Sequence, residues 1–127
     1  MSGIKTIMLC AMIATGTPIT ASAHDDLLGL FAGCTGRISA EMEHAWLMND
    51  DRADALQAQR LKFVSILRAI QPADQARQAL AQRIDAKLAH SAMLTTATFG
   101  TDPRRAKLAK RQAAWQIAQC QNLLLDG

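Results

Sequence analysis

DLLGLFAGCTGRISAEMEHAWLM, residues 26–48, is the stretch on which the reading of the whole chain turns. Leu27, Phe31, Cys34, Ile38, Ala45 and Met48 recur every three to four residues, the period of one face of an α-helix. That spacing predicts a helix over about Asp26–Met48 with one inward stripe. No strand-like alternation follows it. Aromatic and β-branched residues are sparse, and the helix formers Ala, Leu, Gln, Arg and Lys dominate.

Breakers fall at three places and divide the rest into segments of similar length. Asn49-Asp50-Asp51 offers a turn and an N-cap. Helix 2 is predicted over about Arg52–Ile70, with Leu56, Phe63, Leu67 and Ile70 inward. Gln71-Pro72 ends it, and Asp74 complements the dipole of the next helix. Helix 3 is predicted over about Ala73–Phe99, with Leu80, Ile84, Leu88, Ser91 and Leu94 inward, and Gly100 suits its end. Thr101-Asp102-Pro103 is a cap followed by proline at the first helical position. Helix 4 is predicted over about Pro103–Leu125, with Ala106, Ala109, Ala113, Ile117, Cys120 and Leu124 inward.

Turns this short make neighbouring helices antiparallel, so the expected fold is all-α, an up-down-up-down four-helix bundle. Cys34 and Cys120 supply a check. At 1.5 Å rise per residue they stand roughly 12 and 8 Å from the same end of the bundle, both on inward stripes. A Cys34–Cys120 disulfide is therefore expected. It would close nearly the whole domain, worth roughly 4 kcal/mol in the loop-entropy picture.

The front of the chain reads as an address. Lys5 is the only charge before His24, an apolar run extends from Thr6 to about Ala14, and Gly16 and Pro18 break it. Ala21-Ser22-Ala23 matches a small-x-small cleavage site. Residues 1–23 are thus expected to be a cleaved signal peptide and 24–127 a single four-helix domain in the periplasm. Cys10, behind Met8 and Leu9, lacks the small neighbour a lipid-attachment cysteine wants. The mature chain keeps an even pair of cysteines in an oxidising compartment. Its charge balance is close to even, too mild for nucleic acid. No C-x-x-C-H is present for covalent haem.

Three charges break the apolar stripes. Glu41 falls within the stripe of helix 1, Arg60 within that of helix 2, and Lys87 close to that of helix 3. Glu41 and Arg60 come out at nearly equal height, with Lys87 slightly lower. Buried charges are tolerable when paired, so an internal salt bridge is expected, the alternative being a polar pocket for an anion or a metal. The three histidines are His24, His44 and His90. After cleavage His24 would carry the free amine, and amine plus imidazole can chelate copper. His44 and His90 lie near the opposite end, with Met42, Met48 and Met93 nearby. Surface histidines and core methionines are the plainer explanation.

Arg104, Arg105, Lys107, Lys110 and Arg111 crowd the first half of helix 4, where cations oppose the helix dipole. Pairing with the acidic turn Asp50, Asp51 and Asp54 is the simple explanation. A patch for lipid headgroups or an acidic partner is the other. Leu108 and Trp115 lie on the side of helix 4 away from its alanines, as interface candidates. Gly29, Gly33, Gly36 and Ala40 give helix 1 a smooth face, either packed against helix 2 or helix 4 or offered to a partner.

These features point to a small exported interaction module: an accessory or adaptor protein for another exported or membrane protein, without catalytic activity. The alternative is a bundle that carries a metal, copper above all, or another cofactor, using His24 or the Glu41/His44/His90 region. Ser39 has no base beside it, and no phosphate loop or converging carboxylate pair appears. Peripheral membrane contact is compatible with both.

Overall fold

The computed structural model describes residues 20–125. The front of the expected leader, with Lys5 and Cys10, lies outside them. Four α-helices follow in order: α1 Thr20–Leu47, α2 Ala53–Ile70, α3 Ala76–Phe99 and α4 Pro103–Asn122. A 3-10 turn, Ala73–Gln75, precedes α3, and the described residues contain no strand. α1 starts earlier than its apolar stripe requires. Residues 22–27 are all exposed, so this extension adds backbone hydrogen bonds but little burial.

The helix ends follow local chemistry. Asn49 takes the left-handed conformation, φ 53°, and reverses the chain after α1. Asp50 then accepts the Arg52 amide at 2.9 Å and ties the turn. Asp102 caps α4, its Oδ1 accepting the amides of Arg104 at 2.9 Å and Arg105 at 3.3 Å, and Pro103 needs no donor partner at the first position.

The helices alternate in direction. Met42 and Ala45 of α1 cluster with Ala53 and Leu56 of α2, and Leu28 and Ala32 with Leu67, so α2 returns along α1. α3 runs parallel to α1: Leu28 shares a cluster with Ala79, and Glu43 meets Lys87. α4 returns along both, with Ala113 against Ala40 and Leu94. Cys34 and Cys120 are disulfide-bonded, with Cα atoms 5.4 Å apart. Around the bridge pack Ile38, Phe63 and Ile117, and Phe31 lays its ring 6.0 Å from that of Phe63.

Among the described residues only α1 brings its backbone close to all three other helices, and α2 brings its backbone close to α1 alone. A square bundle would close α2 on α3; here the α1–α3 diagonal is closed instead. The cause is Gly36. A Cβ on Gly36 would overlap the Arg83 carbonyl oxygen and stand 2.9 Å from the Lys87 amide nitrogen, so only glycine permits this approach. The smooth face of α1 therefore meets α3 at Gly29 and Gly36, and its Ala40 also meets Ala113 of α4.

That approach also corrects two inward stripes. On α1, Leu27 and Met48 are exposed, while Leu28, Ala32, Thr35, Ser39, Ala40 and Met42 are buried. On α3, Leu80, Ile84 and Leu88 point to water, while Leu94 of the expected stripe is buried together with Ala79 and His90. At the crossing the α3 backbone at Arg83 and Lys87 lies against Gly36, so the ridge of Leu80, Ile84 and Leu88 turns away from α1. The stripes of α2 and α4 hold: Leu56, Phe63 and Leu67, and Ala109, Ala113, Ile117 and Cys120, are buried.

Gly36→Ala should destabilise the fold by about 1–3 kcal/mol through overpacking. Gly29→Ala should do the reverse, because its Cβ would meet only the Gln82 side chain at an ordinary 3.6 Å. An open helical glycine gives up to about 1 kcal/mol on becoming alanine. Thermal melts of both variants test this; shifts of the same sign would remove the close approach as the reason for Gly36.

Candidate functional site

The inner face of α1 carries a line of polar groups, and each finds a partner. Thr35 Oγ1 donates to the Phe31 carbonyl and Ser39 Oγ to the Thr35 carbonyl, both at 2.7 Å. Ser39 Oγ also accepts from Arg60 Nε at 3.1 Å. Glu41 lies two residues nearer the α1–α2 turn, and its Oε1 is 2.8 Å from His90 Nε2. An ionised carboxylate only accepts, so the His90 Nε2–H donates. With that tautomer Nδ1 accepts. Gln116, whose amide oxygen stands 3.3 Å away, supplies a donor when its NH2 group faces the ring.

The expected Glu41–Arg60 pair is thus replaced. Both residues lie on inner faces, but α3, not α2, faces Glu41, and Arg60 reaches the Ser39 hydroxyl instead. Lys87 is at the rim and meets Glu43 at 2.6 Å with both side chains well exposed. A surface pair of this kind contributes little. The three histidines do not converge. His24 is exposed in the first turns of α1, about 30 Å along the helix from His44. His44 Nε2 is 3.0 Å from Thr98 Oγ1, with its ring edge-on to Phe99. His90 is fully buried. No three His, Cys, Asp or Glu side chains gather around a possible metal among the described residues.

Beside Glu41 a cleft of about 400 Å³ opens between α1, α3 and α4, lined by His44, Thr98, Lys110 and Ala113 among others. Glu41 is the acidic residue at its wall. The His90 ring lies behind it and is sealed from solvent. Glu41 stands between the cleft and the imidazole of the Glu41–His90 pair. Its chemistry is that of an internal clamp joining α1 to α3 and, through Gln116, to α4.

The surface is where polarity and position disagree. Leu80, Ile84 and Leu88, 54%, 46% and 62% exposed, stand one turn apart along the outside of α3. Leu61 of α2 is exposed as well. Between α2 and α3 lies a cleft of about 270 Å³ lined by Val64, Leu67, Ala79 and Leu80, with Arg68 and Arg83 at its walls. No carboxylate pairs with Arg60, Arg68 or Arg83 among the described residues. Burial, then the charges of Arg60 and Arg68, pushes the Arg83 guanidinium below its usual value.

On α4, Leu108 and Trp115 are exposed. Arg104, Arg105, Lys107, Lys110 and Arg111 are exposed too, and none forms an ion pair among the described residues. The acidic turn does not serve them. Asp50 is taken by Arg52 at 2.7 Å, whose hydrogen bonds and charge hold the Asp50 carboxyl at about 2. Two features escaped the sequence pattern: the Glu41–His90 pair and the outward leucines of α3. The signal for both was present in Gly36, since a glycine inside a buried helix marks the close approach of a neighbouring backbone.

Comparison of the chain with protein-family models, with curated proteins and with solved structures finds no match.

Proposed function

We propose that the mature chain is a small exported adaptor, without a catalytic step of its own, that binds another exported or membrane protein through the outer side of α2 and α3. The observation that carries this reading is the run Leu80, Ile84, Leu88, set outward on a well-formed helix. A surface leucine alone needs no explanation, but three large apolar side chains one turn apart form an apolar line along the helix. The spacing suits a partner helix laid along the groove and read at every third or fourth residue. Arg68 and Arg83 add a preference for a carboxylate on that helix, because their charges face each other across the cleft without an acid between them. The exported location rests on the leader in residues 1–23.

The test uses a photo-crosslinking residue in place of Ala81, an exposed neighbour of Leu80. The chain is expressed with its own leader in its native host. A discrete heterologous adduct is expected, and it should disappear when Ile84 and Leu88 are changed together to Glu. An adduct that survives the double change, or one made only of this chain, would remove the α2–α3 face as the adaptor surface.

A further inference from the structure

The end of the bundle away from the disulfide is built from the turns at residues 48–52 and 100–102. Apolar side chains crowd it. Trp46, Leu47 and Met48 close α1 and Phe99 closes α3, and all four are exposed, Leu47 by 72% and Phe99 by 58%. His44 joins the two tips, bonded to Thr98 and edge-on to Phe99, so they form one surface.

α4 begins at the same end. Between residues 103 and 125 it carries five cations and no Asp or Glu. Arg104, Arg105 and Lys107 occupy its first turns, where the helix dipole is unfavourable to positive charge. Asp102 is committed to the cap and Asp50 to Arg52, while Asp51 and Asp54 form no ion pair among the described residues. Further along, Arg104, Leu108, Arg111 and Trp115 fall at steps of four, three and four residues. This places them on one outward line of α4 at about 100° per residue, and Leu108 and Trp115 are exposed there. Among the described residues the tip stays largely exposed and none of the cations beside it forms an ion pair.

A surface that suits both must offer anions and a low dielectric side by side. An acidic protein face would serve the cations but would leave Leu47 and Phe99 against charge. An anionic bilayer offers phosphates outside and acyl carbons a few ångströms further in, the layer preferred by Trp and by long cationic side chains with apolar stems. No helix among the described residues is long and apolar enough to cross a membrane, so the contact is peripheral. We propose that this end of the bundle rests on an anionic phospholipid surface, with Trp46, Leu47 and Phe99 in the interfacial layer and Arg104, Arg105 and Lys107 on lipid phosphates. The inference does not use the α2–α3 face, so either can fail alone.

The experiment is vesicle flotation of the mature chain, with the emission of Trp46 read in a Trp115→Phe background. Two vesicle types are used: phosphatidylcholine alone, and equimolar phosphatidylglycerol and phosphatidylcholine. Flotation with the anionic vesicles only, a blue shift of Trp46, and release as salt rises are expected. Changing Arg104, Arg105 and Lys107 together to Gln should weaken attachment roughly a hundredfold, from the contribution of each basic residue near an anionic surface. Leu47→Asn with Phe99→Asn should abolish the blue shift while the charges stay. All these side chains are exposed, and the salt series on the unaltered cations keeps the test independent of any variant. Flotation with neither vesicle, equal flotation with both, or unchanged attachment of the triple Gln variant would overturn the proposal.

Discussion

A chain with Ala at both position 34 and position 120 is expected to lose about 4 kcal/mol of stability, because the bridge closes a loop with a sequence separation of 86. A small domain has only about 5–15 kcal/mol in total, so this is a large share. With a urea slope of about 2 kcal/mol/M, the unfolding midpoint should fall by about 2 M. Alanine is the right replacement, since both sulfurs sit in a closed cluster with Ile38, Phe63 and Ile117, where a serine hydroxyl would lack a partner. The same fall should follow reduction of the natural chain by dithiothreitol. A midpoint that stays put in both cases would mean that the packing of α1 against α4 needs no covalent help.

The second large effect concerns Glu41 and His90. His90 is fully buried and Glu41 nearly so, and they meet at 2.8 Å. Removing either partner strands the other in a poorly solvated place, which costs about 3 kcal/mol or more. His90→Leu and Glu41→Leu should each show that loss in urea melts. The double Leu variant should cost clearly less than the two losses added, because no uncompensated polar group remains. Glu41→Gln keeps an acceptor for the ring and should be the mildest of the set. Strict additivity in this cycle would show that the two side chains act independently and that the clamp between α1 and α3 is nominal.

Much of the architecture was legible before any coordinates. The number of helices, their alternation, the Asp102 cap and the pairing of Cys34 with Cys120 all follow from period, breakers and height. These are local signals, or a single geometric one, and the stripes of α2 and α4 are read the same way. α3 defeated that reading for a tertiary reason. Its large apolar residues, Leu80, Ile84 and Leu88, mark the side with the most hydrophobic surface, but Gly36 brings the backbone of α1 against Arg83 and Lys87, and the side with Ala79, His90 and Leu94 is the one buried. Which face turns inward was settled by how close two helices can lie.

The same approach redirected Glu41. The spacing places it inside and pairs it with Arg60, because both break inward stripes at nearly equal height. In the fold α3 stands beside it, and His90 arrives from a helix whose interior had been misplaced. Lys87 followed the error outward and met Glu43. The cations of α4 were visible as an anomaly in the sequence; that they have no acid to pair with required the placement of Asp50 beside Arg52.

The central place of α1 bears on how the protein comes into being. Ribosomes make the chain from its amino end, so the helix that needs three neighbours is finished before any of them exists. Leu28, Ile38 and Met42, buried at the end, stay wet while some eighty further residues are added. Cys34 waits through the same interval for Cys120, near the carboxyl end. A nascent α1 is therefore an adhesive, unfinished surface, the kind that attracts holdase chaperones during synthesis.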